Sequence, residues 1–228
     1  MVVTSSWTEQ ALAVLRKDIL VEARNRTSVN AMIFFAATML LIFSFALGPN
    51  PDRLKAAAGG LLWLAFVFAG LLAFGRTYQL ELENNAWEGV LLIARHRSAI
   101  YLGKVLGAAA VIYAVEIVVV PLMAILYNLG LGSNLPALIL VTILGTLGYA
   151  AIGALYGALT LSLRAREILL PLLLLPVVVP LLLAAVEATN AVFTGSGGDI
   201  HLWLEVLAAF DIIFLTIGLL TFEYAVGE

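Results

Sequence analysis

Six stretches of this chain are so long and so apolar that lipid is the only solvent in which they make sense. They cover residues 29–47, 56–74, 105–127, 136–163, 168–189 and 202–224. A helix needs about 20 mostly apolar residues to cross the hydrocarbon core of a bilayer. The composition agrees: 63% of the residues are hydrophobic, 12% are charged, and the mean hydropathy is +1.06. A soluble domain of 228 residues cannot hide that much apolar surface. The expected fold class is therefore all-α, a polytopic membrane protein with about six transmembrane helices in one domain, residues 1–228. The fourth stretch is the longest and is expected to tilt or to end beyond the membrane. Little sequence is left for a soluble domain.

The basic residues orient the spans. Arg16, Lys17, Arg24 and Arg26 precede the first. Arg76, Arg95, Arg97 and Lys104 lie between the second and third, and Arg164 and Arg166 between the fourth and fifth. The other side holds only Arg53 and Lys55. Ten against two places both termini in the cytoplasm, together with the polar region that begins at Glu81. Met1–Ser6 lacks a basic stretch and the first apolar run starts late, so no cleavable signal is expected. The absence of cysteine excludes disulfides, cysteine-ligated iron–sulfur clusters and thiolate metal sites. The net charge of −3 says little about partners, because most charges fall in loops.

Residues 7–26 read as an amphipathic helix. Ser6 and Glu9 have capping-box spacing. Leu12, Leu15 and Ile19 share a face with Ala11 beside them, and Arg16, Lys17 and Arg24 serve the polar side. Such a helix, anchored by Trp7, is expected to lie in the headgroup plane as an elbow leading into the first span. It either contacts a partner or serves only as a surface anchor. Small residues recur at helix-packing spacing: Gly103 with Gly107, and Gly145, Gly153 and Gly157 in a row broken by Tyr149. Small residues let helices approach closely in lipid. Pro171, Pro176 and Pro180 in the fifth span each remove a backbone donor, so kinks are expected there, acting as hinges or as fixed shape.

Carboxylates lie in or near the spans at Glu116, Glu187, Glu205, Asp211 and Glu223, with Glu116 and Asp211 deepest. A charge at mid-membrane costs roughly 2.5–3.5 kcal/mol on insertion scales. Each deep acid is therefore protonated, paired with another chain, or open to a wet cavity. Two readings follow: a translocation path or subunit contact, and a neutral acid bonded to a helix backbone. His96 sits in a basic loop. His201, next to Trp203, is the only other histidine, and an iron porphyrin is one ligand it could take. There is no G-x-x-x-x-G-K-[ST], no H-E-x-x-H and no G-x-S-x-G, so any ATP hydrolysis must occur on another chain and nothing points to an intramembrane enzyme.

The remaining feature is a polar, amphipathic island between the second and third spans. It runs from Glu81 through Glu83, Trp87, Glu88, Leu91 and Leu92, and on to Ile100-Tyr101-Leu102-Gly103-Lys104. Its acids can meet a basic cleft, and Trp87, Leu91 and Leu92 can fill an apolar one. The plain alternative is a loop helix resting on lipid. The acidic run before Glu-x-x-Leu-Leu, followed by Gly-Lys at membrane re-entry, resembles the coupling helix of ABC-2 type permeases, here residues 81–92.

Nearly the whole chain resembles one family, the haem exporter B subunit of the bacterial cytochrome c maturation complex. The resemblance rests on Leu15-Arg16-Lys17-Asp18 with Glu22, Arg24 and Arg26, on Asn30-Ala31-Met32, and on Leu62-Trp63-Leu64-Ala65-Phe66. It continues with the island, Arg97-Ser98-Ala99-Ile100-Tyr101, Arg164-Ala165-Arg166-Glu167, and Leu174-Leu175-Pro176 with Pro180. It ends with Leu183-Ala184-Ala185-Val186-Glu187, Phe210-Asp211 and Phe222-Glu223-Tyr224. One departure is visible: Ala94-Arg95-His96 stands where related permeases often carry a proline. The resemblance implies a permease of the inner membrane working with a separate ABC ATPase in two copies and a second copy of itself. It also implies haem-handling membrane subunits and a periplasmic haem chaperone. ATP hydrolysis then drives haem export or release of the loaded chaperone, and haem is held by partner subunits. The rivals are a generic ABC-2 exporter of lipid, polysaccharide or drug, and an ion-coupled carrier using Glu116 and Asp211. Nothing points to nucleic acid.

Overall fold

The computed structural model describes residues 6–24, 26–83, 96–130, 135–161, 165–194 and 200–225, together with Gly89 and Leu163. The regular structure among them is helical throughout. The described helices are α1 (Trp7–Arg24), α2 (Arg26–Leu47), α3 (Pro51–Glu83), α4 (Arg97–Leu126), α5 (Leu135–Leu159), α6 (Arg166–Thr194) and α7 (Ile200–Ala225). Helices α2 to α7 are the six that are long and apolar enough to cross a membrane.

Local chemistry sets the helix ends. The capping box at α1 forms as its spacing predicts: the Ser6 backbone N–H donates to a Glu9 carboxylate oxygen at 2.7 Å, and the Glu9 N–H donates to the Ser6 hydroxyl at 3.3 Å. At α3, the Asn50 side chain accepts from the N–H groups of Asp52 and Arg53, and Pro51 opens the first turn, where a missing N–H costs nothing. The sharp link from α2 to α3 passes through Gly48, whose φ of 72° suits glycine.

Helices α3 and α5 form the centre, and α2 and α7 carry the most outward-facing surface. Their contact is an interlocking of rings with glycines. Trp63 fills the space over Gly145, Phe74 that over Gly153, and Tyr78 that over Gly157. Tyr149, the one large member of the α5 row, lies against Gly70 of α3. Residue numbers rise together along both helices, so α3 and α5 run parallel. That is the relation expected of the second and fourth spans of an alternating bundle. Polar handles on these rings reach carbonyls that lipid cannot satisfy. Tyr78 donates to the Ala154 carbonyl, Tyr149 to Val67, Tyr101 to Ala151 and Tyr127 to Leu40, and the Trp63 indole donates to Thr189. Phe34, Phe45, Ile117, Ile125, Ile212 and Leu220 point outward, as lipid-facing side chains do.

Two expectations need correction. The fourth span ends at Leu159 rather than at 163, where the Thr160 hydroxyl turns back to the Tyr156 carbonyl. The polar region between the second and third spans is shorter than the sequence indicates, because α3 continues to Glu83 and α4 begins at Arg97. Glu81 and Lys104 look like loop residues by polarity alone, but each is helical and finds its counter-charge inside the fold. Helix α6 carries all three prolines within one continuous helical run; Pro176 and Pro180 lie on its exposed face, away from buried Leu174, Val178 and Leu181.

Candidate functional site

The end of the bundle where α3 finishes and α4 starts holds two of the four buried charged residues among the described ones, Glu81 and Lys104. Lys104 has no exposed surface. Its ammonium lies 2.7 Å from Glu81 and 3.3 Å from Asp18. Lys17 also donates to Glu81 and lies 3.2 Å from Asp18. Two cations and two carboxylates thus cancel inside a cluster that ties α1, α3 and α4 together. Burial alone would lower the pKa of Lys17, but Asp18 and Glu81 outweigh it and hold the amine above its ordinary value. Tyr78 closes the cluster with its ring 5.0 Å from the Lys104 nitrogen. Burial, then the neighbouring Glu81 and Asp18, keep its phenol well above the usual range, so it serves as a neutral donor.

Glycine spacing makes this possible. Gly103 and Gly107, one turn apart on α4, admit α1 so closely that a Cβ at Gly103 would meet Val14 and the Ala11 carbonyl, and one at Gly107 would meet Asp18. Helix α1 therefore presents its Ala11–Val14–Asp18 side to α4, while Leu12, Ile19 and Leu20 remain exposed. The elbow is a packed part of the bundle as well as an amphipathic surface. Trp7 donates from its indole to Ser98, and the His96 backbone N–H donates to Gln10. Two further basic residues close this end. Arg166 donates to the Gly75 carbonyl, about two turns before the end of α3, and Arg97 donates to the Glu223 carbonyl of α7. The elbow, the end of α7 and the α3–α4 junction are thus on one face of the bundle.

Of the coupling residues expected from sequence, Glu81 is inside the cluster and only 6% exposed, so it is not offered outward. Glu83 is the last residue of α3. Trp87, Glu88, Leu91 and Leu92 lie outside the described residues; Gly89, between them, is helical. The structure therefore places the ion cluster on both helices that root the segment 84–95, with Glu81 two residues before the end of α3 and Lys104 two turns into α4.

The two deep acids flank α5. Glu116 of α4 accepts a hydrogen bond from the Thr146 hydroxyl. Asp211 of α7 packs over Gly148 beside Leu181, and neither of its carboxylate oxygens has a hydrogen-bond partner among the described residues. His201 is exposed at the start of α7, and no group of three or more metal-ligating side chains occurs among the described residues. The sequence treated Lys17 and Lys104 as loop or surface charges. The signal that marks Lys104 as internal is its setting between Leu102-Gly103 and the apolar run from Val105.

The family model described as CcmB protein matches residues 9–227 of the chain. The chain belongs to the CcmB family. Its relatives include heme exporter protein B of Pseudomonas aeruginosa, 31% identical over 95% of this chain and 95% of that protein. Heme exporter protein B of Escherichia coli K12 is 30% identical over 78% of this chain and 80% of its own length. The Haemophilus influenzae protein of the same name is 28% identical over 79% and 81%. The CcmB match takes in the elbow from Glu9 onward, both roots of the 84–95 segment and all six spanning helices.

Proposed function

We propose that this chain is the membrane permease subunit of an ABC transporter acting in cytochrome c maturation in the bacterial inner membrane, with both termini cytoplasmic. It is not itself an enzyme; a separate ATPase subunit, in two copies, works on two copies of the permease. The observation that carries this reading is the family match across the chain, to relatives whose name is heme exporter protein B. The cluster of Lys17, Asp18, Glu81 and Lys104 adds a mechanical reason.

In this mechanism, Trp87, Leu91 and Leu92 enter an apolar cleft of the ATPase, and Glu83 and Glu88 meet basic groups at its rim. ATP-driven closure of the ATPase pair displaces the 84–95 segment. Because the segment is clamped at Glu81 and at Lys104, the push moves α1, α3 and α4 as one body. A segment hung on two unclamped helix ends would absorb the same push by local bending. The ring-and-glycine seam then passes the motion from α3 to α5. Glu116 and Asp211, on either side of α5, lie where the motion would alter a path or a subunit contact, and the prolines of α6 are candidate hinges. The work drives haem export or release of a haem-loaded periplasmic chaperone. Haem is held by partner membrane subunits, since this chain offers no cysteine and two histidines.

The test is complementation. In a bacterium deleted for its own haem exporter B subunit, this gene together with its cognate ATPase should restore c-type cytochrome absorbance. An ATPase with its phosphate-loop lysine replaced should not support it. Restoration that persists with the inactive ATPase, or that tracks the proton gradient alone, would reject the ABC reading in favour of an ion-coupled carrier.

A further inference from the structure

Asp211 lies near the middle of α7, well inside both ends of the helix. It is 4% exposed, and both of its carboxylate oxygens are buried without a hydrogen-bond partner among the described residues. One oxygen rests where Gly148 of α5 lacks a Cβ, beside the Leu181 side chain of α6. An ionised carboxylate only accepts hydrogen bonds, and the N–H groups of a continuous helix are already used within it. What a helix backbone still offers is the second lone pair of its carbonyls. Other buried polar groups of this bundle use that offer. Tyr101 of α4 donates to the Ala151 carbonyl of α5 and the Phe214 carbonyl of α7, Tyr149 donates to Val67, and Thr189 to Ala185. Each of them brings a proton of its own. An ionised Asp211 has none to bring.

No cation answers the charge either. Between Glu167 and Glu187, α6 has no titratable side chain. Tyr149 of α5 is turned to α3. On α4, Lys104 is held by Glu81 and Asp18, Tyr113 donates to the Ile143 carbonyl, and Glu116 is a second acid that already accepts from Thr146. On α7 itself the other ionisable side chains within the helix are His201, Glu205, Glu223 and Tyr224, all exposed towards its ends. A buried charge with neither donor nor counter-ion is costly enough that the group neutralises instead. The close fit against Gly148 and Leu181 leaves the smallest ligand, a proton, as the one this carboxyl takes.

We propose that Asp211 is a proton-binding site, neutral while α7 is closed on α5 and α6, with its O–H donating to an adjoining helix carbonyl. Ionisation then requires α7 to draw away and admit water. Binding of this proton is thereby linked to closure of the seam, which low pH favours and high pH loosens. The inference rests on the packing of α4 to α7 and stands whether or not the transport reading does.

The chain has four aspartates, Asp18, Asp52, Asp199 and Asp211, and only Asp211 falls in one of the six apolar stretches. Permease carrying isotope-labelled aspartate is combined with unlabelled ATPase in nanodiscs and measured by infrared difference spectroscopy. At pH 7, about three units above the value of a free aspartate, a labelled carboxylic-acid C=O band should be present, and Asp211→Asn should remove it. Denaturant titration gives a second readout. The unfolded chain ionises Asp211 and the folded one keeps its proton. Between pH 5 and pH 7 the unfolding constant of the parent should therefore rise about tenfold per pH unit relative to that of Asp211→Asn. The proposal fails if the labelled acid band is absent at pH 7, the result expected of an ionised Asp211 paired with a cation of a partner subunit. It fails equally if parent and Asp211→Asn respond to pH alike. Should Asp211→Asn not assemble, the labelled band of the parent still decides, because no other aspartate lies in an apolar stretch.

Discussion

Replacing Lys104 with methionine keeps the length of the side chain and deletes its charge. In the parent, Lys17 and Lys104 balance Asp18 and Glu81, so the cluster is neutral. Without Lys104, two carboxylates share one ammonium, and Glu81 loses a partner at 2.7 Å. At an effective dielectric constant of about 20, that pair alone has roughly 6 kcal/mol of attraction, most of which offsets the desolvation of the two ions. Removing one member of a buried pair leaves the other's desolvation uncompensated, at about 3–5 kcal/mol. Lys104→Met should therefore shift the unfolding equilibrium by a factor of roughly 10² to 5 × 10³. Adding Glu81→Gln restores neutrality, leaving Lys17 with Asp18 at 3.2 Å. The double variant should accordingly be more stable than the sum of the single costs predicts, by about 1–3 kcal/mol. Reversible detergent-to-denaturant titration of the purified permease, followed by tryptophan fluorescence, measures all four members of the cycle. A cost below about 1 kcal/mol for Lys104→Met, or strict additivity in the double variant, would show that the cluster does not bind α1, α3 and α4 together.

Three further outcomes are expected. Gly153→Val should cost about 1–3 kcal/mol because even its Cβ overlaps the Phe74 ring, whereas Gly60→Ala, where a Cβ meets nothing within 4 Å, should be close to neutral in the same titration. The Lys17 amine is raised above its ordinary 10.5, so its contribution to stability is complete below that pH and is lost as pH rises through the raised value; the parent should lose stability above pH 10.5 more steeply than Lys17→Met, and a parallel decline in both would contradict this. A reporter fused after Glu228 should be cytoplasmic and a tag within 195–199 periplasmic, and finding both on one side would exclude six spans.

The spans were legible because lipid imposes a coarse rule: 20 apolar residues in a row leave little choice of structure. The cap at Ser6 and the packing role of Gly145, Gly153 and Gly157 were legible for the same reason, since each depends on fixed spacing within one helix. What paired with those glycines was not. Trp63, Phe74 and Tyr78 are unremarkable aromatic residues until α3 lies beside α5, and Tyr149 breaks the small-residue row only because Gly70 receives it. Polarity misled at Glu81 and Lys104 because hydropathy scores a residue without its partner. A lysine that is neutralised by residues 23 and 86 positions away can be fully buried, and no local window contains that information. The amphipathic pattern of α1 is legible in its sequence, but the side that meets the protein is the one with Ala11, Val14 and Asp18, chosen by the glycines of α4.

The central claim is that the segment between the two clamped roots is where an ATPase subunit grips this chain. The parent has no cysteine, so a single Trp87→Cys variant can be cross-linked without background. Purified with its ATPase in the membrane and treated with a short thiol–amine cross-linker, Trp87→Cys should yield a permease–ATPase adduct, while Thr194→Cys at the far end of α6 should yield none. An equal adduct from Thr194→Cys, or no ATPase adduct from cysteines placed at 87, 88, 91 and 92 in complexes that still contain both subunits, would contradict it.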